Sequence, residues 1–290
     1  MLKTLEKVEV VPSGAALGAE ICGVDLREMT DETFGAIEKA WYDHLVVLIR
    51  DQHMTSEEFM AFGGRFGELE LPYLSQIGRP WIKAYPEILV VSNVKENGKP
   101  IGALGNGEAV WHSDMTYQEI VPSASLLYAL EVPEKGGETG FSNLYQACET
   151  LPAALREKVA DRLLIHDNAH NSAGELRIGF TEVTNPMETP GPRHPVICRH
   201  PKTKRDYLLL GRRPHEYVAG LELEESEKLL DDIWAHATQP QLTWFHHWRP
   251  GDVLIWDNRC TLHRREPFEA DARRVMHRLQ IAGERPVASN

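Results

Sequence analysis

From about residue 88 onward the chain breaks into short apolar runs divided by Gly, Pro, Asn and Asp: ILVVSNV, AVWHSDMTY, ASLLYALEV, TGFSNL, HPVICRH, YLLLG, DVLIWDN and HRLQIAG. Runs of this length, bounded by turn formers and crowded together, predict a β-sandwich or barrel rather than a doubly wound sheet. The first third reads differently. Residues 6–11 alternate like a strand, Pro12 to Ala19 form a Gly-rich turn, and AEICGV is a second short strand. Thr30 is placed to cap a helix over 31–43, whose apolar residues recur at helical spacing. Residues 44–50 (HLVVLIR) read as a buried strand. Thr55 opens a second helix, with Glu58 at the capping-box position. Helical patterns return at 146–163 and 222–236, while Asn171 to Pro195 carries no clear period. Long stretches of that kind often serve as lids.

The formal net charge is −12, from 31 basic and 43 acidic residues, and no basic block stands out. That argues against nucleic acid as a partner. An acidic chain that binds an anion must do so with a few local arginines. The four cysteines, Cys22, Cys148, Cys198 and Cys260, form no CxxC pair, so neither a zinc knuckle nor a disulfide scaffold is expected. The N-terminus has no apolar signal core. Runs such as Leu45 to Ile49 and Leu126 to Leu130 fall far short of the roughly 20 residues that span a bilayer. The expectation is a cytoplasmic protein with no membrane contact.

Two segments carry metal-site chemistry. In Trp111-His112-Ser113-Asp114, a strand would aim His112 and Asp114 at one point, because residues i and i+2 share a face. An HxD tripeptide alone is weak. A second His, His263, follows a buried strand and a turn in DVLIWDNRCTLH. Two imidazoles and one carboxylate form the facial triad of non-haem Fe(II) oxygenases, which leaves positions open for other ligands. Just beyond, Arg274 and Arg278 alternate with Met276 along an expected strand, so they share a face. Two guanidiniums on a core face are costly unless each meets an anion. Their forked donors suit carboxylates, of a ligand or of neighbouring side chains.

WHSD, GGETGF at 136–141, WDNRCTLH at 256–263 and RRVMHR at 273–278, with VDLRE at 24–28 and FGELE at 66–70, resemble the taurine dioxygenase / 2,4-dichlorophenoxyacetate dioxygenase family. The resemblance covers nearly the whole chain. It implies a mainly β fold with flanking helices, a double-stranded β-helix or jelly roll, as a single domain over 1–290 with a lid insertion around 166–195. It implies Fe(II) held by His112, Asp114 and His263, with 2-oxoglutarate as co-substrate and O2 as oxidant. Arg274 and Thr139 then take the distal carboxylate of 2-oxoglutarate, and Arg278 the anionic end of a small-molecule substrate. It also implies a homo-oligomer, dimer or tetramer.

For the substrate, one position departs from the taurine pattern. Glu108 stands where an amide is expected shortly before the ligand His. SNVKENGK at 92–99 and GRRPHEYVAGL at 211–221 look closer to the aryloxyalkanoate branch. A 2,4-dichlorophenoxyacetate-like carboxylate is therefore expected first and an alkylsulfonate such as taurine second. Asn93 and Tyr117 are candidate pocket residues. Trp111 and Trp256 are expected to pack around the metal. The adjacent His246 and His247 are expected to be solvent or interface histidines. His166 and His170 lack an HExxH context. Two readings remain open beside the oxygenase. A zinc hydrolase on the same three residues would have no need of Arg274 and Thr139. A jelly-roll binding module explains none of the spacing.

Overall fold

Thr30 accepts a hydrogen bond from the Thr33 N–H and starts a helix over Asp31–His44, which buries Ile37, Ala40 and Trp41 along one stripe. A side chain the size of Ile37 contributes roughly 1.5–3 kcal/mol on full apolar burial. The helix stops at Leu45, whose left-handed φ of 65° turns the chain straight into the fully buried strand Val46–Ile49. The next helix, Ser56–Gly63, has the expected capping box, with Thr55 and Glu58 each bonding the other's backbone. The structure, a computed structural model, describes residues 8–105, 110–170, 176–177 and 179–289.

Eight strands form the main sheet. Their spatial order is Glu9–Pro12, Ala19–Cys22, Val46–Ile49, Val253–Asp257, Ala124–Glu131, Val275–Ile281, Leu89–Ser92 and Ala103–Leu104. A second sheet has three antiparallel strands in the order Thr243–His246, Thr139–Asn143, Thr261–Arg265. The protein is thus mainly strands with flanking helices. The central strands are buried on both faces, which is why VVLI and VLIWD read as unbroken apolar runs.

Alternation along these strands divides the core. Leu126, Tyr128, Val253, Ile255, Leu279 and Ile281 pack with the two N-terminal helices through Ile37, Trp41, Phe59 and Phe62. Leu127, Ala129, Leu254, Trp256 and Met276 pack on the opposite side, in one cluster with Phe141 and Leu262 of the smaller sheet. Arg278 lies opposite Leu127, and Gln280 and Trp256 lie opposite Ser125, so these side chains belong to the face turned toward the smaller sheet. A bulge between Val275 and Met276 interrupts the alternation just after Arg274.

The expected helix at 146–163 is two short ones, Leu144–Glu149 and Ala153–Val159, divided at Pro152. Leu223–Ala237 matches the second expected helix. Among the described residues no helix is long and apolar enough to cross a membrane. All four cysteines are free thiols.

Candidate metal centre

The WHSD segment does not form the strand its alternation predicts. His112 makes one isolated bridge to His263 and one to Arg212, and the chain then turns through Asp114 with a left-handed φ of 53° at Met115. His112 and Asp114 converge for a different reason: the turn is clamped from a distance. Asn258 accepts the Asp114 N–H at 2.8 Å and donates to the Asp114 carbonyl at 2.9 Å and the Pro122 carbonyl at 3.2 Å. Ser113 donates its hydroxyl to the Thr261 carbonyl at 2.8 Å and its N–H to the Gly211 carbonyl at 2.9 Å. His263 sits on the Thr261–Arg265 strand and exchanges both backbone hydrogen bonds with His112, at 2.8 and 2.9 Å.

These constraints bring the two imidazole rings to 4.1 Å, and Asp114 Oδ1 lies 3.8 Å from both Nε2 atoms. Those separations exceed hydrogen bonds but suit atoms bound at about 2.1 Å to one ion. All three side chains are buried. His112 donates Nδ1–H to the Val110 carbonyl at 3.0 Å, which puts the lone pair on Nε2. Burial holds the His263 pKa down to about 3, with His112 adding to it, so its ring is neutral as a metal ligand requires. Burial alone would raise the Asp114 pKa. The charge of Arg278 is the largest opposing effect and, with the Ser125 hydrogen bond, outweighs it, so the carboxyl sits at about 2. Ser125 donates to Asp114 Oδ2 at 2.9 Å, and Arg278 Nη2 lies 3.1 Å from Oδ1. One carboxylate, two imidazoles and a cavity beside them are a donor set that fits ferrous iron with positions left open.

That cavity of about 60 Å³ has His112, His263, Thr139, Trp256, Arg274 and Arg278 on its walls. The salt bridge weighed for Arg278 from sequence is present, and its partner is Asp114 itself. Arg274 is buried. The Thr139 hydroxyl accepts from Trp248 Nε1 at 2.9 Å, which leaves its own proton to donate elsewhere. Asn93 is placed differently from expectation. Its amide donates to the carbonyls of Ala270 and Ala272, and its oxygen accepts the Arg274 N–H at 3.0 Å, so it anchors the Arg274 backbone outside the pocket wall. Tyr117 stacks under Arg177, 3.8 Å from ring centroid to guanidinium, and is not on the cavity wall. Glu108 falls outside the described residues, as do 171–175 and 178 of the expected lid.

Sequence reasoning missed several supporting residues. Asn258 and Ser125 lie 144 and 11 positions from Asp114, and nothing local marks them. Glu216 is fully buried, and burial raises its pKa to about 7. It accepts from Gly211 N–H and Trp234 Nε1, both at 2.8 Å, and so ties the backbone behind Ser113 to the Leu223–Ala237 helix. One expectation needs correcting. His246 is not a surface group: it is buried with Nε2 3.0 Å from Asp252, and only His247 is exposed. Trp256 packs against His263 as expected, at 5.0 Å, and Trp111 is half-buried under Arg264.

Two imidazoles and one carboxylate form a group able to hold one metal ion, and a pair of arginines suited to anionic ligands stands beside it. Residues 9–280 match the taurine catabolism dioxygenase TauD, TfdA family, and the chain belongs to it. The chain is 32% identical to the (S)-phenoxypropionate/alpha-ketoglutarate-dioxygenase of Delftia acidovorans, with 95% of each chain covered. A taurine dioxygenase structure from Burkholderia xenovorans superposes with a TM-score of 0.77 at 30% identity, over 97% of this chain and 93% of that one. A structure of AAD-2 in complex with Mn(II) and N-oxalylglycine gives a TM-score of 0.80 at 28% identity, over 98% and 100%. The protein is a dioxygenase of this family.

Proposed function

We propose that the chain is an Fe(II)- and 2-oxoglutarate-dependent dioxygenase that hydroxylates an aryloxyalkanoate, with His112, Asp114 and His263 as the metal ligands. The convergence of those three side chains on one buried point carries the reading. Fe(II) with 2-oxoglutarate and O2 supplies the oxidising power, releasing succinate and CO2. The two sheets are the halves of a double-stranded β-helix, and the centre lies between them.

The protein's own residues bind and orient. Arg274, braced through its backbone by Asn93, takes the distal carboxylate of 2-oxoglutarate as a forked, charge-assisted pair, and Thr139 adds its hydroxyl proton. Arg278 divides its guanidinium between Asp114 and the substrate carboxylate, so the substrate's charged end is fixed beside the ligand set. Ser125 steadies the other oxygen of Asp114. Two described residues of the 166–195 segment, His194 and Arg177, meet the loop after the ligands. His194 Nε2 lies 3.0 and 2.9 Å from the carbonyls of Thr116 and Gln118, and Arg177 stacks on Tyr117. We read this insertion as the lid that keeps bulk water from the centre. Hydroxylation beside the ether oxygen gives a hemiacetal that collapses to a phenol and a 2-oxo acid.

Succinate release under Fe(II) and ascorbate, across a panel of aryloxyacetates, aryloxypropionates and alkylsulfonates, tests this. Fastest turnover with an aryloxyalkanoate supports it. Turnover confined to taurine or other sulfonates, as the name of the Burkholderia xenovorans neighbour suggests, moves the substrate class. Metal-dependent hydrolysis without succinate overturns the oxygenase itself.

A further inference from the structure

A cavity of about 330 Å³, far larger than the space at the metal centre, opens on the other side of the 257–259 turn. Such a volume is in the range of small-molecule sites. Its walls are apolar, with Val121, Tyr207 and Val287 among them, and four cations border it: Arg199, Lys204, Arg259 and Arg285. Among the described residues, Glu284 is the one carboxylate on this wall. Asp257, Asp206 and Glu119 pair with three of the four cations from behind, so the region is near charge balance in a chain of net charge −12.

Arg259 is the deepest of the four and is buried. Its Nε and Nη2 grip Asp257 at 2.8 and 2.6 Å, whereas Nη1 faces Glu284 at 4.0 Å, beyond hydrogen-bond reach. Arg285 and Arg199 hold Glu119 and Asp206 in pairs with exposed or half-exposed partners, which contribute little and exchange readily. Lys204 Nζ donates to the Pro201 carbonyl and keeps two further protons. Apolar walls with a buried guanidinium at the base suit a molecule with a compact hydrophobic body and one negative end.

We propose that this cavity is a second binding site, separate from the metal centre, for a small organic carboxylate with an apolar body, its charged end held by Arg259, Lys204 and Arg285. The proposal does not depend on the reaction assigned above. Its floor is the turn whose Asn258 clamps Asp114.

Benzoate is the probe, titrated calorimetrically into the chain preloaded with Mn(II) and N-oxalylglycine, with benzamide as the uncharged control. In Arg278→Ala, which lacks the metal-centre partner for a substrate carboxylate, one benzoate is expected to bind per chain, and benzamide about tenfold more weakly or worse. The double variant Lys204→Glu/Arg285→Glu, at exposed positions, is expected to weaken benzoate by about tenfold or more. The proposal is overturned by no saturable binding up to about 20 mM, by equal affinity in the double variant, or by loss of binding in Arg278→Ala, which would place the benzoate at the metal centre.

Discussion

Among the described residues, two clusters contain two histidines and a carboxylate: His112, Asp114 and His263, and Asp167, His170 and His215. Their compositions match, and their geometries do not. In the first, the carboxylate stands 3.8 Å from each imidazole nitrogen, so a gap remains that a cation can fill. In the second, His170 Nδ1 donates to Asp167 Oδ2 at 2.7 Å, and the rings of His170 and His215 lie nearly parallel, 4.2 Å apart with 9° between their planes. Parallel stacked rings share no point in both planes, and a metal must lie near the plane of each ring it binds. The hydrogen bond has also taken the place of a shared ligand. Residue type proposes a metal site; spacing at the ångström scale decides it.

The largest expected effect tests the first cluster. His112→Ala or His263→Ala should lower turnover by roughly 10³-fold or more, since the metal contributes several kcal/mol. Mn(II) binding by electron paramagnetic resonance should fall with it while circular dichroism stays unchanged. Full activity in a folded variant removes the ligand assignment. Next, Arg274→Ala should raise the KM for 2-oxoglutarate by about 100-fold, because a charge-assisted pair is lost in a buried site. An unchanged KM moves the co-substrate elsewhere. Asn258→Ala, which touches no ligand side chain, should weaken Mn(II) by about 10- to 100-fold through the freed turn. Retained affinity means the turn holds its shape unaided.

The second region should answer to pH instead. His166, next to Asp167 in sequence, is buried against His194, and burial drives its pKa well below the ordinary value. Below about pH 6.5 the unfolded chain takes up a proton that the folded chain refuses. Stability is therefore lost as pH falls, by up to ~1.4 kcal/mol per pH unit for this one group. The urea midpoint should drop between pH 7 and 5, and His166→Asn should reduce that slope. The smallest effect is expected from His170→Ala: about 1 kcal/mol of stability, with metal stoichiometry still one per chain by elemental analysis. A stoichiometry falling from two to one would make the second cluster a metal site after all.

What was legible in the sequence was local or periodic. Thr30 and Thr55 announce their helices because a cap acts within three residues. The buried runs announce strands because short unbroken apolar stretches between turn formers suit a strand covered on both faces. The ligand pair at 112 and 114 was legible too, but its strand was not there, because alternation cannot reveal a clamp arriving from Asn258. His246 looked like a surface group for a related reason. Its burial is set by Asp252 and by Trp248, whose ring lies 4.6 Å away, and by the packing of a whole sheet. Asn93 was read as a pocket group because its partners, 177 to 181 positions on, leave no trace nearby.

The Ala124–Glu131 strand works as a party wall. Ser125 and Leu127 belong to the chamber that holds Asp114 and the two arginines, while Leu126 and Tyr128 belong to the room next door, among the N-terminal helices. Because close-packed interiors carry strain, a change of packing on one face of such a wall bears on the other. Selection for a new substrate can therefore work from behind, by repacking Phe59 or Phe62 and tilting Leu127, without altering any residue that a docked molecule meets.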